Sequence, residues 1–376
     1  LDDFWAVLIA HSAVTIQLKE IFGENVYAVY KALGEILEVR PDLADKIQIF
    51  AEPFYRIKEA GGNEATAPYN DLAAVITLCP KLADKLEDLA KIALAAGFDT
   101  SLGGLSVYQG LRAALKTCPG LADRPADLVK IAEASGMRAY SAYKVLGQAI
   151  GVRPDLADKI DIFVELFRKL KEAIGPRMFS VFSAYVALED IISARPDLAD
   201  GLEKFVPIFV RMLKTDGVSA SYAYEALGKI ITARPDLAEK TEVFIEPFDK
   251  IRAAAGTGAG RACAFVGHLI AAQPDLAEKM TELARIAFAA GKDTDTVYLS
   301  LQALLKVSPW LAEKLASLIL LAERFKEKTS DVYMILQNMA LEGLLAEDNL
   351  DKTVQGLLQE GETALRRLKE RVNAVY

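Results

Sequence analysis

The chain has 376 residues, a hydrophobic fraction of 52%, and 44 Lys+Arg against 52 Asp+Glu. That apolar content excludes a disordered chain, and a net charge of −8 disfavours nucleic-acid binding, which depends on clustered Lys and Arg. Three Cys cannot build a disulfide framework and two His are too few for most metal centres, so neither a cofactor nor a metal is expected.

The first residue is Leu1 rather than Met, which reads as a processed product or a piece of a longer chain. The apolar run Phe4-Trp5-Ala6-Val7-Leu8-Ile9-Ala10 is soon interrupted by His11, Ser12, Thr15, Gln17 and Lys19, too early to cross a bilayer. It lacks a basic lead, so it is not an intact signal peptide. No other stretch approaches a transmembrane length; a soluble protein is expected, in the cytoplasm before other compartments.

An internal repeat dominates the rest of the chain. Arg40-Pro41-Asp42-Leu43-Ala44-Asp45-Lys46 recurs at Arg153 and, with one residue changed, at Arg195 and Arg234, with looser copies at Pro80, Pro119, Pro274 and Pro309. After each of these prolines, Leu stands two positions on, then Ala, then Asp or Glu. Eleven residues upstream stands Tyr (Tyr30, Tyr69, Tyr108, Tyr143, Tyr185, Tyr224, Tyr298), replaced once by Cys263. Apolar residues also stand eight and four before the proline, so this segment is an amphipathic helix, helix A. The recurring Tyr belongs to the core, its hydroxyl reaching a backbone or turn partner.

Proline should stop helix A at the preceding residue, where Arg40, Arg153, Arg195 and Arg234 suit a helix C-terminus. In five copies Asp follows, with Asp or Glu three further on, as in Asp155-Leu156-Ala157-Asp158; that spacing predicts a capping box opening helix B. Helix B buries residues such as Phe163, Val164 and Phe167, or Phe244, Ile245 and Phe248. It should end in left-handed caps near Gly61, Gly97, Gly136, Gly175, Gly217, Gly256 or Gly291. Each copy is an αα-hairpin.

The proline intervals are 39, 39, 35, 42, 39, 39 and 35, and Pro41/Pro196, Pro80/Pro235, Pro119/Pro274 and Pro154/Pro309 all lie 155 apart. The expected fold is therefore all-α, an α-solenoid of about eight to nine stacked αα-hairpins with a 155-residue internal duplication. Its parts are a lone helix of a truncated repeat (1–22), two four-hairpin blocks (23–175 and 176–328), and a degraded repeat with a C-terminal capping helix (329–376). The degraded repeat has Gly343 in the proline slot, and the charged stretch from Asp351 to Tyr376 reads as a single amphipathic helix. Helix pairs of 35–42 residues over nearly the whole chain resemble the HEAT and armadillo-like helical repeats. That resemblance implies binding of proteins or peptides along an extended face, and in some members of nucleic acid.

Little chemistry interrupts the repeat. Gly256-Thr257-Gly258-Ala259-Gly260 lacks both the preceding strand of a dinucleotide site and a following Gly-Lys-Ser/Thr, and reads as an interhelical loop. His11 and His268 lie in different repeats as core or edge residues, and Cys79 and Cys118, one per successive repeat, read as free thiols. The candidate partner-binding residues lie on helix B. Eleven positions past the proline stand Glu52, Lys91, Lys130, Glu165, Pro207, Glu246, Arg285 and Leu320, and four further on Arg56, Lys169, Arg211, Lys250 and Arg324. The competing reading is structural, with Glu52–Arg56, Glu165–Lys169 and Glu246–Lys250 merely bracing an exposed helix.

The expected function is a non-enzymatic scaffold for a protein or peptide. A helical enzyme closed around a central cavity and a nucleic-acid-binding solenoid are the alternatives. Phe4, Trp5, Leu8 and Ile9, on a helix B without its helix A, are candidate apolar contacts for a partner or for self-association.

Overall fold

A computed structural model describes residues 12–23, 26–61, 66–97, 106–174, 178–216 and 220–373. Among these residues there is no strand; α-helices are joined by short 3-10 turns. No described helix is long and apolar enough to cross a membrane. The chain divides into two compact units, residues 1–176 with 196–203, and residues 177–195 with 204–376.

The first unit contains α1 (Ser12–Phe22), α2 (Val26–Val39), α3 (Ala51–Gly61), α4 (Thr66–Leu78), α5 (Leu86–Ala96), α6 (Val107–Thr117), α7 (Pro125–Ser135), α8 (Ala139–Val152) and α9 (Ile160–Ile174). Even helices pack in the order α2–α4–α6–α8 and odd helices in the order α1–α3–α5–α7–α9. The second unit contains α10 (Met178–Ala194), α11 (Val206–Asp216), α12 (Ala220–Ala233), α13 (Ile245–Ala255), α14 (Ala259–Ala272), α15 (Met280–Ala290), α16 (Thr294–Val307), α17 (Leu315–Phe325), α18 (Thr329–Leu341), α19 (Glu347–Glu360) and α20 (Glu362–Asn373). There the even helices run α10–α12–α14–α16–α18–α20 and the odd ones α11–α13–α15–α17–α19. Helices thus pack against their neighbours in order.

The repeated residues explain this packing. Tyr69, Tyr108, Tyr143, Tyr185, Tyr224, Tyr298 and Tyr333 are fully buried. Tyr143 donates to the Leu128 carbonyl at 2.7 Å, Tyr298 to Leu283 at 2.7 Å, Tyr69 to Phe54 at 3.0 Å and Tyr333 to Leu318 at 2.9 Å. Each bond ties an even helix to the odd helix preceding it, in keeping with the core role expected of the repeated Tyr. Even helices also approach one another closely. A Cβ on Gly147 would lie 2.9 Å from Ala114 Cα, and one on Gly267 2.7 Å from Ala226 Cα, so only glycine fits.

Each even helix stops where expected. The residue before proline is extended, as at Arg153 (φ −134°, ψ 79°), and the Leu156 N–H donates back to the Arg153 carbonyl at 3.0 Å. The buried Leu of every copy, such as Leu156, pins this turn into the core.

Three expectations need correction. The Asp after proline does not open an α-helix: the proline begins a 3-10 turn of its own, whose N-cap is the residue before the proline and makes no side-chain cap bond. The following odd helix begins only at Ile160 after Pro154, or at Ala51 after Pro41. Asp155 instead accepts from the Arg153 guanidinium at 2.8 and 2.9 Å, a charge-assisted pair that an amide N–H does not displace. The glycine caps, secondly, have the expected positive φ but not the left-handed helical ψ. Gly136 (59°, −134°), Gly256 (55°, −118°) and Gly291 (59°, −131°) sit near the first central position of a type II′ turn, which redirects the chain into the next helix within three residues. Thirdly, the charged C-terminal stretch forms two helices, α19 and α20, because Gly361 (φ 56°) breaks it. Gly175 and Gly217 lie outside the described residues.

Candidate functional site

The odd helices carry the charged ladder, and most of its members are ion-paired within their own unit, three pairs of them with one another. On α3, Arg56 pairs with Glu52 at 2.9 Å and reaches Glu87 on α5. Lys91 on α5 lies 3.5 Å from Asp88. Lys130 on α7 pairs with Asp127 at 2.9 Å and lies 3.7 Å from Asp161 on α9. On α9, Glu165 is held by Arg168 at 2.7 Å and by Lys169 at 3.6 Å, while Lys169 stands 3.4 Å from Glu203.

The second unit repeats the pattern. Lys250 pairs with Glu246 at 2.7 Å on α13, and Arg285 on α15 pairs with Glu323 on α17 at 2.7 Å. Arg211 is exposed on α11, close enough to Glu246 to favour its charged form. Arg324 stands on α17 near Gly361. All three i,i+4 pairs anticipated from sequence are formed. The cross-helix partners Glu87, Asp161 and Glu203 were not anticipated, although each stands seven positions after a proline, a recurrence visible once the helices are aligned.

These contacts set the local electrostatics. The Lys130 ammonium, with Arg124, holds the Asp127 carboxyl below its ordinary range; Arg168 does the same to Glu165, and Lys250 to Glu246. Between the charges lie exposed apolar residues in the same register. Tyr55, Leu94 and Phe288 each stand fourteen positions after a proline, and Phe288 is 80% exposed; Leu320 replaces the charged residue eleven positions after Pro309.

A second charged row follows the turns. Arg40 donates to the Pro80 carbonyl at 3.1 Å and to Asp84 at 3.0 Å, and Arg195 to the Pro235 carbonyl at 2.9 Å. Arg234 reaches Glu278 at 2.8 Å and Arg153 lies 3.6 Å from Asp200. Where the proline interval shortens to 35, a cation five positions after the proline takes over: Arg124 donates to the Ala157 carbonyl, and Lys279 to that of Ala312 at 2.8 Å. The Asp/Glu after Leu-Ala is therefore mainly an acceptor for the preceding turn.

On the even helices, Lys229 bridges Glu225 at 2.6 Å and His268 Nε2 at 3.2 Å. Burial and the adjacent ammonium hold the His268 imidazole below its ordinary pKa, so it accepts from Lys229 as the neutral ring. Cys79, Cys118 and Cys263 are not disulfide-bonded, and burial pushes the Cys79 thiol up. Among the described residues no group of three or more His, Cys, Asp or Glu is placed to hold a metal ion. His11 and the apolar candidates Phe4, Trp5, Leu8 and Ile9 lie outside the described residues. No protein-family model matches the chain, and no curated protein matches its sequence.

Proposed function

We propose that the protein is a non-enzymatic α-solenoid of the HEAT/armadillo-like kind, with eight to nine αα-hairpins, that binds a protein or peptide along the exposed side of its odd helices. The observation that carries this reading is the alignment of Tyr55, Leu94, Phe288 and Leu320 with the charged ladder. Apolar side chains set among charges give a partner both desolvation energy and register. Pairing within the ladder tempers this, because a partner must exchange existing ion pairs for its own.

The 155-residue duplication belongs to the same proposal. The odd helix ends sixteen residues after both Pro119 and Pro274, which agrees with it. The ends differ by one helical turn between Pro80 and Pro235, so that pair has diverged within the hairpin.

Affinity capture with the intact chain, set against a chain with Arg56, Lys130, Lys169 and Arg285 changed to Glu, tests the binding face. A specific partner should be retained by the first and lost by the second. Equal capture by both, with loss instead on reversing turn residues Arg40 and Arg234, would move the site off the odd helices.

A further inference from the structure

The last even-helix pair leaves an open groove. Between α18 and α20 lies a cavity of about 420 Å3 lined by Met334, Ile335, Leu365 and Val372, with Asp331, Asn338, Arg366 and Lys369 around them. An ion pair between Lys328 and Glu362 closes one end. Met334 is 47% exposed, whereas Ile335 and Val372 are buried, so the floor is apolar and one wall is open. Although the chain carries −8 overall, α20 has Arg366, Arg367, Lys369 and Arg371 against Glu362 and Glu370. Glu362 is taken by Lys328, and Arg367 pairs with Glu360 at 2.6 Å. Arg366 and Lys369 thus give the rim a net positive charge beside an apolar floor.

One stretch of this sequence has the complementary chemistry. Asp2-Asp3-Phe4-Trp5-Ala6-Val7-Leu8-Ile9 joins two acids to an aromatic pair and an aliphatic run, and it lies outside the described residues. We propose that the α18/α20 groove of one molecule receives the Leu1–His11 segment of a second copy, with Asp2 and Asp3 against Arg366 and Lys369 and Trp5 over Met334 and Leu365. A cavity of this volume is at the small end for a buried anchor, and an aromatic ring is the side chain that gains most from entering it. Donor segment and acceptor groove are different surfaces, so the contact either closes by reciprocal exchange between two copies or propagates head to tail, and the limiting mass at high concentration tells the two apart. This inference is independent of partner binding on the odd helices.

Sedimentation velocity on the full chain, from about 1 to about 100 μM, tests it. The average mass should climb with concentration and fall back as salt is raised, since the rim charges are exposed. Arg366→Glu with Lys369→Glu, or Trp5→Ala, should weaken the association about ten-fold or more. Adding Asp2→Lys with Asp3→Lys to the reversed rim should restore it. If the reversed rim disturbs folding by circular dichroism, Met334→Glu serves as the groove variant and should weaken association equally. A wild-type chain that stays monomeric throughout, even with Trp5 shielded within its own molecule, overturns the proposal. So does association that ignores both the Trp5 and the groove variants, or a charge swap that restores nothing.

Discussion

At Tyr69, Tyr108, Tyr143, Tyr224 and Tyr298, each eleven positions before a proline, a buried hydroxyl donates to a carbonyl on the preceding odd helix. Burial drives its pKa upward at Tyr69, Tyr108, Tyr143, Tyr298 and Tyr333. A folded-state pKa above the unfolded value of about 10 favours the folded chain below that pH; the advantage is lost as pH rises through the window above it. Tyrosinate absorbance from these side chains should therefore appear together with loss of helical circular dichroism. Separate titration ahead of unfolding would show that they are accessible to solvent. Cys263 stands in the same slot without the hydroxyl and is buried nonetheless, so that copy keeps the burial of Tyr69 to Tyr298, while Tyr30 in the first copy is only half-buried.

At the scale of the element, two features set the hairpin: a proline turn that the chain cannot continue helically, and a positive-φ residue that turns the odd helix into the next even one. The eighth hairpin meets the second rule without a glycine. Lys326 takes φ 46°, ψ −113°, the geometry that Gly136, Gly256 and Gly291 supply elsewhere. A side chain in that region costs about 1–3 kcal/mol. Lys326→Gly should raise the midpoint of thermal unfolding, with a gain of about 1 kcal/mol after the added flexibility of the unfolded chain is subtracted. An unchanged or lower midpoint would place the strain elsewhere. The turns themselves are tied by long cations: Arg before the proline in four of the five intervals of 39 or 42 residues, Lys81 after Pro80 in the fifth, and a cation five positions after the proline at 35.

For the molecule as a whole, the proposed repeat makes energetic coupling a matter of neighbours. Gly267→Ala forces a Cβ to within 2.7 Å of Ala226 Cα and should cost about 1–3 kcal/mol as α12 and α14 separate. Hydrogen exchange should then quicken in the hairpins flanking α12 and α14, while amides of α4, α6 and α8 keep their protection. Equal loss across the chain would instead mean a single cooperative core.

Where the even helices before each proline stop, most of the residues that enter the core, and the hydroxyl-to-backbone bond of the buried tyrosines such as Tyr143 were legible in the amino-acid sequence, although Tyr30 and Val164 are only half-buried. Those features depend on local rules: proline geometry, apolar periodicity and the cost of burying an unpaired hydroxyl. The i,i+4 pairs of the ladder were legible too, since both partners share a helix. Packing, by contrast, was needed to show that Asp155 answers Arg153 instead of capping a helix, and that Arg56 finds Glu87 and Lys130 finds Asp161. Likewise only the packed chain shows that Gly361 parts α19 from α20 and opens a groove beside α18. Such choices turn on competition among several acceptors of similar strength. Proximity across 30 to 40 residues of chain settles that competition, and periodicity along one helix carries no information about it.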